Sequence, residues 1–283
     1  MMPDASANPA DRTKSSDAGL PLNALLPTNL GLALRTALTQ SWDHFGVVIG
    51  ISLTGTALVT LLLNLFAHLP VLLLLPIRLL ILVIVGASAL ALPLGGAFGC
   101  AHRITCSDEV SYGIFLRESV RLYGVTARLL LLQALVLLLF AANFWFYRRI
   151  GGVGGLLAGV VCGYLLLFWS MMSALHFPLL VAQESGVFDA PTQRARRGIV
   201  AALRRALYLT FASPLHTFGT LAALLLLTLL MTMLALPLAL FWLGTVPLVA
   251  TQCVRQLLIR YGVVPIPIVE KAVPDADFRL PRI

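Results

Sequence analysis

Few side chains in this sequence have the chemistry of a metal ligand or a nucleophile. His44, His102, His176 and His216 fall near one end of successive apolar runs, and Cys100, Cys106 and Cys253 fall at the same level. Imidazole and thiolate are the usual ligands of zinc-like ions. The spacing builds no such site: there is no His-Glu-x-x-His, no Cys-x-x-Cys and no histidine pair at i, i+4. Ser170, Ser173 and His176 share a turn or two of helix. No Gly-x-Ser-Gly accompanies them, no aspartate lies in an apolar run, and helical serine more often packs and hydrogen-bonds than attacks. A phosphate-binding Gly-x-x-x-x-Gly-Lys-Ser/Thr loop is missing as well. The expectation is therefore no catalytic, cofactor or metal residue, and a protein that is not an enzyme.

The elements that carry these residues explain their scarcity. Of 283 residues, 59% are hydrophobic and 11% charged, and the mean hydropathy is +0.93. Soluble domains average about 45–50% apolar and about 25% charged, so a water-soluble globular enzyme is excluded. Disorder is excluded too, because it requires low hydrophobicity and high charge. The apolar residues gather in runs of membrane length, roughly 20 residues per helical crossing. The four cysteines, with Cys162 the fourth, show no secreted disulfide pattern.

Six spans follow. Phe45–Phe66 is the first, Leu79–Cys100 the second, Leu129–Tyr147 the third and Val153–Leu175 the fourth, the last extending through Pro178. From Ala206 to Val254 no charged residue occurs. As one helix that run would reach roughly 70 Å, more than twice the hydrocarbon thickness, so it folds back near Pro237. Leu215–Leu236 and Leu238–Val254 are the fifth and sixth spans. The runs do not alternate as barrel strands would, so the fold class is an all-α integral membrane protein with six transmembrane helices. Residues 1–28 form a polar tail without a signal-peptide pattern. Residues 29–257 form the transmembrane domain and 258–283 a Pro-rich tail.

Net charge is +8, from 20 basic and 12 acidic residues. With six spans, the two tails and the 103–128 and 183–213 loops hold 17 of the basic residues, and the opposite side holds Arg78, Arg148 and Arg149. The positive-inside rule then puts both termini in the cytoplasm of a bacterial inner membrane. Topology accounts for the basic charge, so nucleic acid is not an expected partner. Phe144, Trp145, Phe146 and Tyr147 fall at the outer end of the third span, where aromatic rings favour the headgroup level.

Short amphipathic helices are expected before spans one, three and five. In Ser111–Tyr123 an apolar face opposes Arg117, Glu118 and Arg121. In Ala195–Thr210 one opposes Arg197, Arg204 and Arg205. Ala33–Leu38, with Arg35, echoes Ala202–Leu207. Basic residues on such helices face anionic headgroups, which makes membrane lipids a partner. Leu-Arg pairs begin at 34, 116 and 203, a spacing that reads as three copies of interfacial helix, span out, span back.

Glycines supply the other pattern. Gly151, Gly155, Gly159 and Gly163 recur every fourth residue in span four, Gly46 and Gly50 in span one, and Gly95 and Gly99 in span two. Small residues at this spacing let helices approach closely in lipid, either within the chain or in a homo-oligomer. Asn64, Gln133 and Asn143 are expected to pair across helices, since unsatisfied amides in hydrocarbon are costly. With no Asp, Glu or Lys inside a span, a proton-driven pump is not expected.

Several short patterns occur in a fixed order: Asn64 with Leu69-Pro70, Leu92–Gly96, Phe115, Ala142–Tyr147, Phe177–Val181, and Ala202–Leu207 leading to Ser213-Pro214. Over about Leu32 to Tyr261 this order resembles the YesL-like family of small bacterial multi-pass membrane proteins. The family has no settled biochemical activity. The resemblance implies an accessory or scaffold role beside a carbohydrate transport system, with transporter subunits as partners. A small-solute carrier is the alternative and a membrane-embedded enzyme the third reading.

Overall fold

The computed structural model describes residues 29–68, 75–106, 109–187, 198–234 and 236–264. The tails 1–28 and 265–283, and with them most of both expected tail segments, lie outside the described residues, as does Arg197. Among the described residues there are eight helices and no strand: α1 Leu30–Asp43, α2 Phe45–Ala67, α3 Leu75–Thr105, α4 Tyr112–Ile150, α5 Gly152–Glu184, α6 Ile199–Ala212, α7 Pro214–Met233 and α8 Leu236–Arg260. Five are long and apolar enough to cross a membrane, namely α2, α3, α4, α5 and α7. α8 is 25 residues long and carries Gln252, Arg255, Gln256 and Arg260 in its C-terminal half.

Local signals set most boundaries. Asn29 caps α1 by accepting from the Leu32 N–H at 3.2 Å. Pro214 opens α7 at its first turn, where a missing N–H costs nothing. Gly151 and Gly152, both with φ of +65°, make the sharp reversal between α4 and α5. Gly262, with φ of +68°, ends α8: its N–H reaches Ile259 O at 3.0 Å and Val263 N–H reaches Leu258 O at 2.9 Å. α8 therefore runs past the Val254 limit read from charge. Pro237 lies in its first turn and does not interrupt it.

The expected separate helix before the third span is not there. Tyr112–Ile150 is one helix of 39 residues, roughly 58 Å long. The linking stretch Gly124–Arg128 has no proline to stop it. Among the described residues, only α1 and α6 are separate short helices. α6 starts at Ile199, because Gly198 with φ of +117° sets its N-terminus.

Registering the Leu-Arg pairs at 34, 116 and 203 aligns burial in three dimensions. Ala33, Phe115 and Ala202 are all fully buried, and so are Ala37, Ser119 and Ala206. Each of these segments leads to an outgoing and a returning helix: α2 and α3, the rest of α4 and α5, then α7 and α8. The returning helices each contain an internal proline followed by leucine: Pro93-Leu94, Pro178-Leu179 and Pro247-Leu248. The core forms where the returning helices meet. Phe98, Val181 and Ala250, one from each, join Leu122 in one cluster, and Phe98 stacks on Phe177 with centroids 5.2 Å apart.

Candidate functional site

Polar side chains concentrate at one end of the bundle, where α3, α5 and α8 finish. There each returning helix is tied to the first segment of the next unit. Arg103 of α3 holds Glu118 of α4 through Nη2 at 2.9 Å and Nε at 3.1 Å. Gln183 of α5 accepts from Arg205 Nη1 of α6 at 2.8 Å. Gln252 of α8 donates to Gln40 of α1 at 2.6 Å. The three ties form a closed circuit. Gln40 also donates to Ile104 O, and Arg255 Nη1 donates to Thr105 O, which locks α1 and α8 onto the end of α3.

Glu118 is the residue that sequence reasoning misplaced. It was expected on the polar face beside Arg117 and Arg121, yet it is 1% exposed. Its carboxylate lies between Arg103 and Arg121, 2.7 Å from the latter. Arg121 is thus an ion-pair partner, while Arg117 stays exposed. The cause is the floor that α3 offers. Gly96, Gly99 and Arg103 share one face, and a Cβ on Gly96 would meet the Phe115 ring at 2.7 Å and one on Gly99 the Glu118 Cβ at 2.9 Å. Without side chains there, α4 settles close enough to bury Glu118, and Arg103 supplies the counter-charge. The glycine row followed by an in-phase arginine was the available signal. Glu118 lies in the N-terminal part of α4, before the Leu129–Tyr147 stretch read as the third span.

Deeper in the bundle, Gln133 of α4 reaches α5. Its Nε2 donates to Ser173 Oγ at 2.9 Å and lies 3.2 Å from His176 Nδ1. His176 is fully buried and edge-on to Trp169 at 5.5 Å. This is the cross-helix pairing expected of Gln133. Asn64 and Asn143 do not pair that way: each donates to a carbonyl four residues back, Thr60 O and Leu139 O, at 2.8 Å. An amide can satisfy itself locally by such back-bonding.

The candidate ligand residues do not converge. His216 Nε2 pairs with Cys253 O at 3.2 Å, and Cys106 Sγ lies 3.9 Å from His102 Nε2. His44 is the residue between α1 and α2. Among the described residues no group of three His, Cys, Asp or Glu side chains could hold a metal ion. A cavity of about 250 Å³ lies among the ends of the returning helices, lined by His102 and Cys106 of α3, Ala182 of α5 and Thr251 and Arg255 of α8.

The glycine rows have different surroundings. Gly95 sits 3.2 Å, measured from its would-be Cβ, from Thr126 Oγ1, and Gly50 sits 3.2 Å from the Tyr112 ring. On α5, a Cβ at Gly155 would meet Tyr147 O at 2.7 Å, while Gly151, Gly159 and Gly163, like Gly46 on α2, have nothing within 4 Å. Gly163 is exposed, while Gly159 is half-buried and lines, with Phe144, Tyr147 and Arg148, an open groove between α4 and α5. Only 6% of the most apolar stretch of α4 and 11% of that of α5 is buried, against 33% for α3. Arg35 and Arg204 are exposed. No family model, curated protein or solved structure matches the chain.

Proposed function

We propose that the chain is a six-span bacterial inner-membrane protein with cytoplasmic termini, serving as a non-enzymatic accessory or scaffold component of a transport system. In this reading α8 is the sixth span, and the end bearing Arg103, Gln183 and Gln252 faces the cytoplasm. The excess of basic residues at that end supports the orientation, and the ordered resemblance to the YesL-like family supports the accessory role. The observation that carries the reading is the unfilled glycine positions on α5. Gly159 and Gly163 have open space beside them, on a hairpin whose apolar surface the chain itself leaves largely uncovered. Small residues there allow a partner helix close approach.

In-cell photo-crosslinking from Val160 tests this. The expected product is a defined adduct with a membrane transport subunit, lost when Gly159 is replaced by Leu. Pull-downs from membranes rich in the protein that recover no stable partner, with no adduct at Val160, would overturn the scaffold role.

The second reading, a small-solute carrier, is favoured by the prolines inside the three returning helices, Pro93, Pro178 and Pro247, of which Pro178 lines the cavity at the basic end. Helix interruptions flanking a central site are a transporter feature. Solute flux into liposomes with purified protein would replace the scaffold reading with this one.

A further inference from the structure

The basic end of the bundle carries a second feature, independent of the α5 glycine row. Between α6 and the last turns of α8 runs an open groove of about 450 Å³. Leu179, Leu209 and Leu258 form its floor, and Arg204, Arg205, Tyr208 and Tyr261 stand around it. Two of these are held in place. Arg205 is fixed by Gln183, and the Tyr261 hydroxyl is 2.7 Å from Ser213 Oγ. Arg204 and Tyr208 remain exposed. Burial draws Arg205 below the usual guanidinium range, because partial desolvation disfavours its charge. An anion beside it would offset that cost.

The three-unit register isolates what is special here. Arg35 and Arg117 occupy the positions equivalent to Arg204, and both are exposed. At the position of Arg205, however, α4 has Glu118 and α1 has Thr36. At neither equivalent do two arginines stand side by side. A cationic rim above an apolar trough, at the end of a membrane bundle, matches an amphiphile with a negative head. A small free anion would leave the leucine floor wet.

We propose that this groove binds one anionic phospholipid, with its phosphate at Arg204 and Tyr208 and an acyl chain along Leu179, Leu209 and Leu258. Arg205 and Tyr261 position the headgroup from the two walls. The assignment goes beyond the scaffold reading and does not require a protein partner.

The test uses the full chain, purified in mild nonionic detergent and titrated with acyl-labelled phosphatidylglycerol or phosphatidylcholine. Phosphatidylglycerol should bind in preference. The double variant Arg204→Gln, Tyr208→Phe should weaken its binding about five-fold or more, a single basic group near the surface being worth about 1 kcal/mol. Arg204→Lys should recover most of the loss. Arg35→Gln and Arg117→Gln serve as register controls and should change nothing. Both altered side chains are exposed, and an unchanged thermal unfolding curve confirms an intact fold. Equal affinity for the two lipids, an equal loss in Arg35→Gln, or displacement of the lipid by millimolar inorganic phosphate would each overturn the proposal. Failure of the partner reading would leave these results untouched, because Gly159 and Val160 lie towards the opposite end of α5.

Discussion

Gln252, in the last helix, donates its side-chain amide to Gln40, in the first, across 212 positions of sequence. The contact joins the third unit to the first and completes the circuit begun by Arg103 with Glu118 and continued by Gln183 with Arg205. Gln252→Ala and Gln40→Ala should each lower the thermal unfolding temperature in detergent, and the double variant should lose little more than either alone. Interhelical hydrogen bonds in membrane proteins average about 0.6 kcal/mol and reach about 1.7 kcal/mol. A coupling energy in that range, from the double-mutant cycle, is the expected outcome. Strict additivity would mean that the two amides do not act on each other.

The Glu118 cluster predicts an asymmetry. Removing Arg103 leaves a buried carboxylate with one partner fewer, which is the costly direction. Removing the carboxylate leaves Arg103 and Arg121, whose side chains are 37% and 46% exposed and can hydrate in place. Arg103→Gln should therefore destabilise more than Glu118→Gln, by about 1–2 kcal/mol, a part of the about 3–5 kcal/mol seen when a fully buried pair is broken. Chemical unfolding of the three proteins side by side checks the order.

Substituting glycines separates the rows. Gly96→Ala places a methyl group against Phe115 and Ser119, an overpacking cost of about 1–3 kcal/mol. Gly163→Ala meets nothing within 4 Å, so stability of the isolated chain should stay within about 1 kcal/mol of the parent, the helix-propensity difference between the two residues. Unfolding in detergent measures both. A large loss in Gly163→Ala would show that α5 packs on a second copy of the chain even after purification.

The threading makes a labelling prediction. In a variant without native cysteines, a cysteine at Ile150 should react with an impermeant thiol reagent added outside intact cells. A cysteine at Ala190 should react only after permeabilisation. The reverse pattern would invert the proposed orientation and place Arg148 and Arg149 in the cytoplasm.

Much of the architecture was legible because lipid imposes a simple rule on composition. Phe45 begins α2 where charge ends, α5 runs on through Pro178, and the α7–α8 reversal falls next to Pro237. The register at 34, 116 and 203 also aligns three buried positions, Ala33, Phe115 and Ala202. The fusion of α4 was not legible. An amphipathic face turned to the headgroups and one turned to a neighbouring helix look alike in sequence, and nothing between Tyr123 and Leu129 forces a break. Glu118 was misread for the same reason. Helical phase placed it at the edge of the polar face, and only the missing side chains of Gly96 and Gly99, on another helix, pull it inside. For the α5 row, spacing announced an interface but not which surface would occupy it.

The closed circuit has a consequence for how the protein is made. A ribosome delivers Gln40 to the insertion machinery long before Gln252 emerges, so through most of translation the first helix has its α3 tie at Ile104 O but not its tie to α8. Ala33 and Ala37 share a cluster with Leu248, Val249 and Cys253 of α8, and that part of their cover arrives last. Insertion of the early helices and completion of the fold are therefore separate events. A chain truncated before α8 would expose its first helix to the cell's quality-control proteases, however well its preceding spans had entered the bilayer.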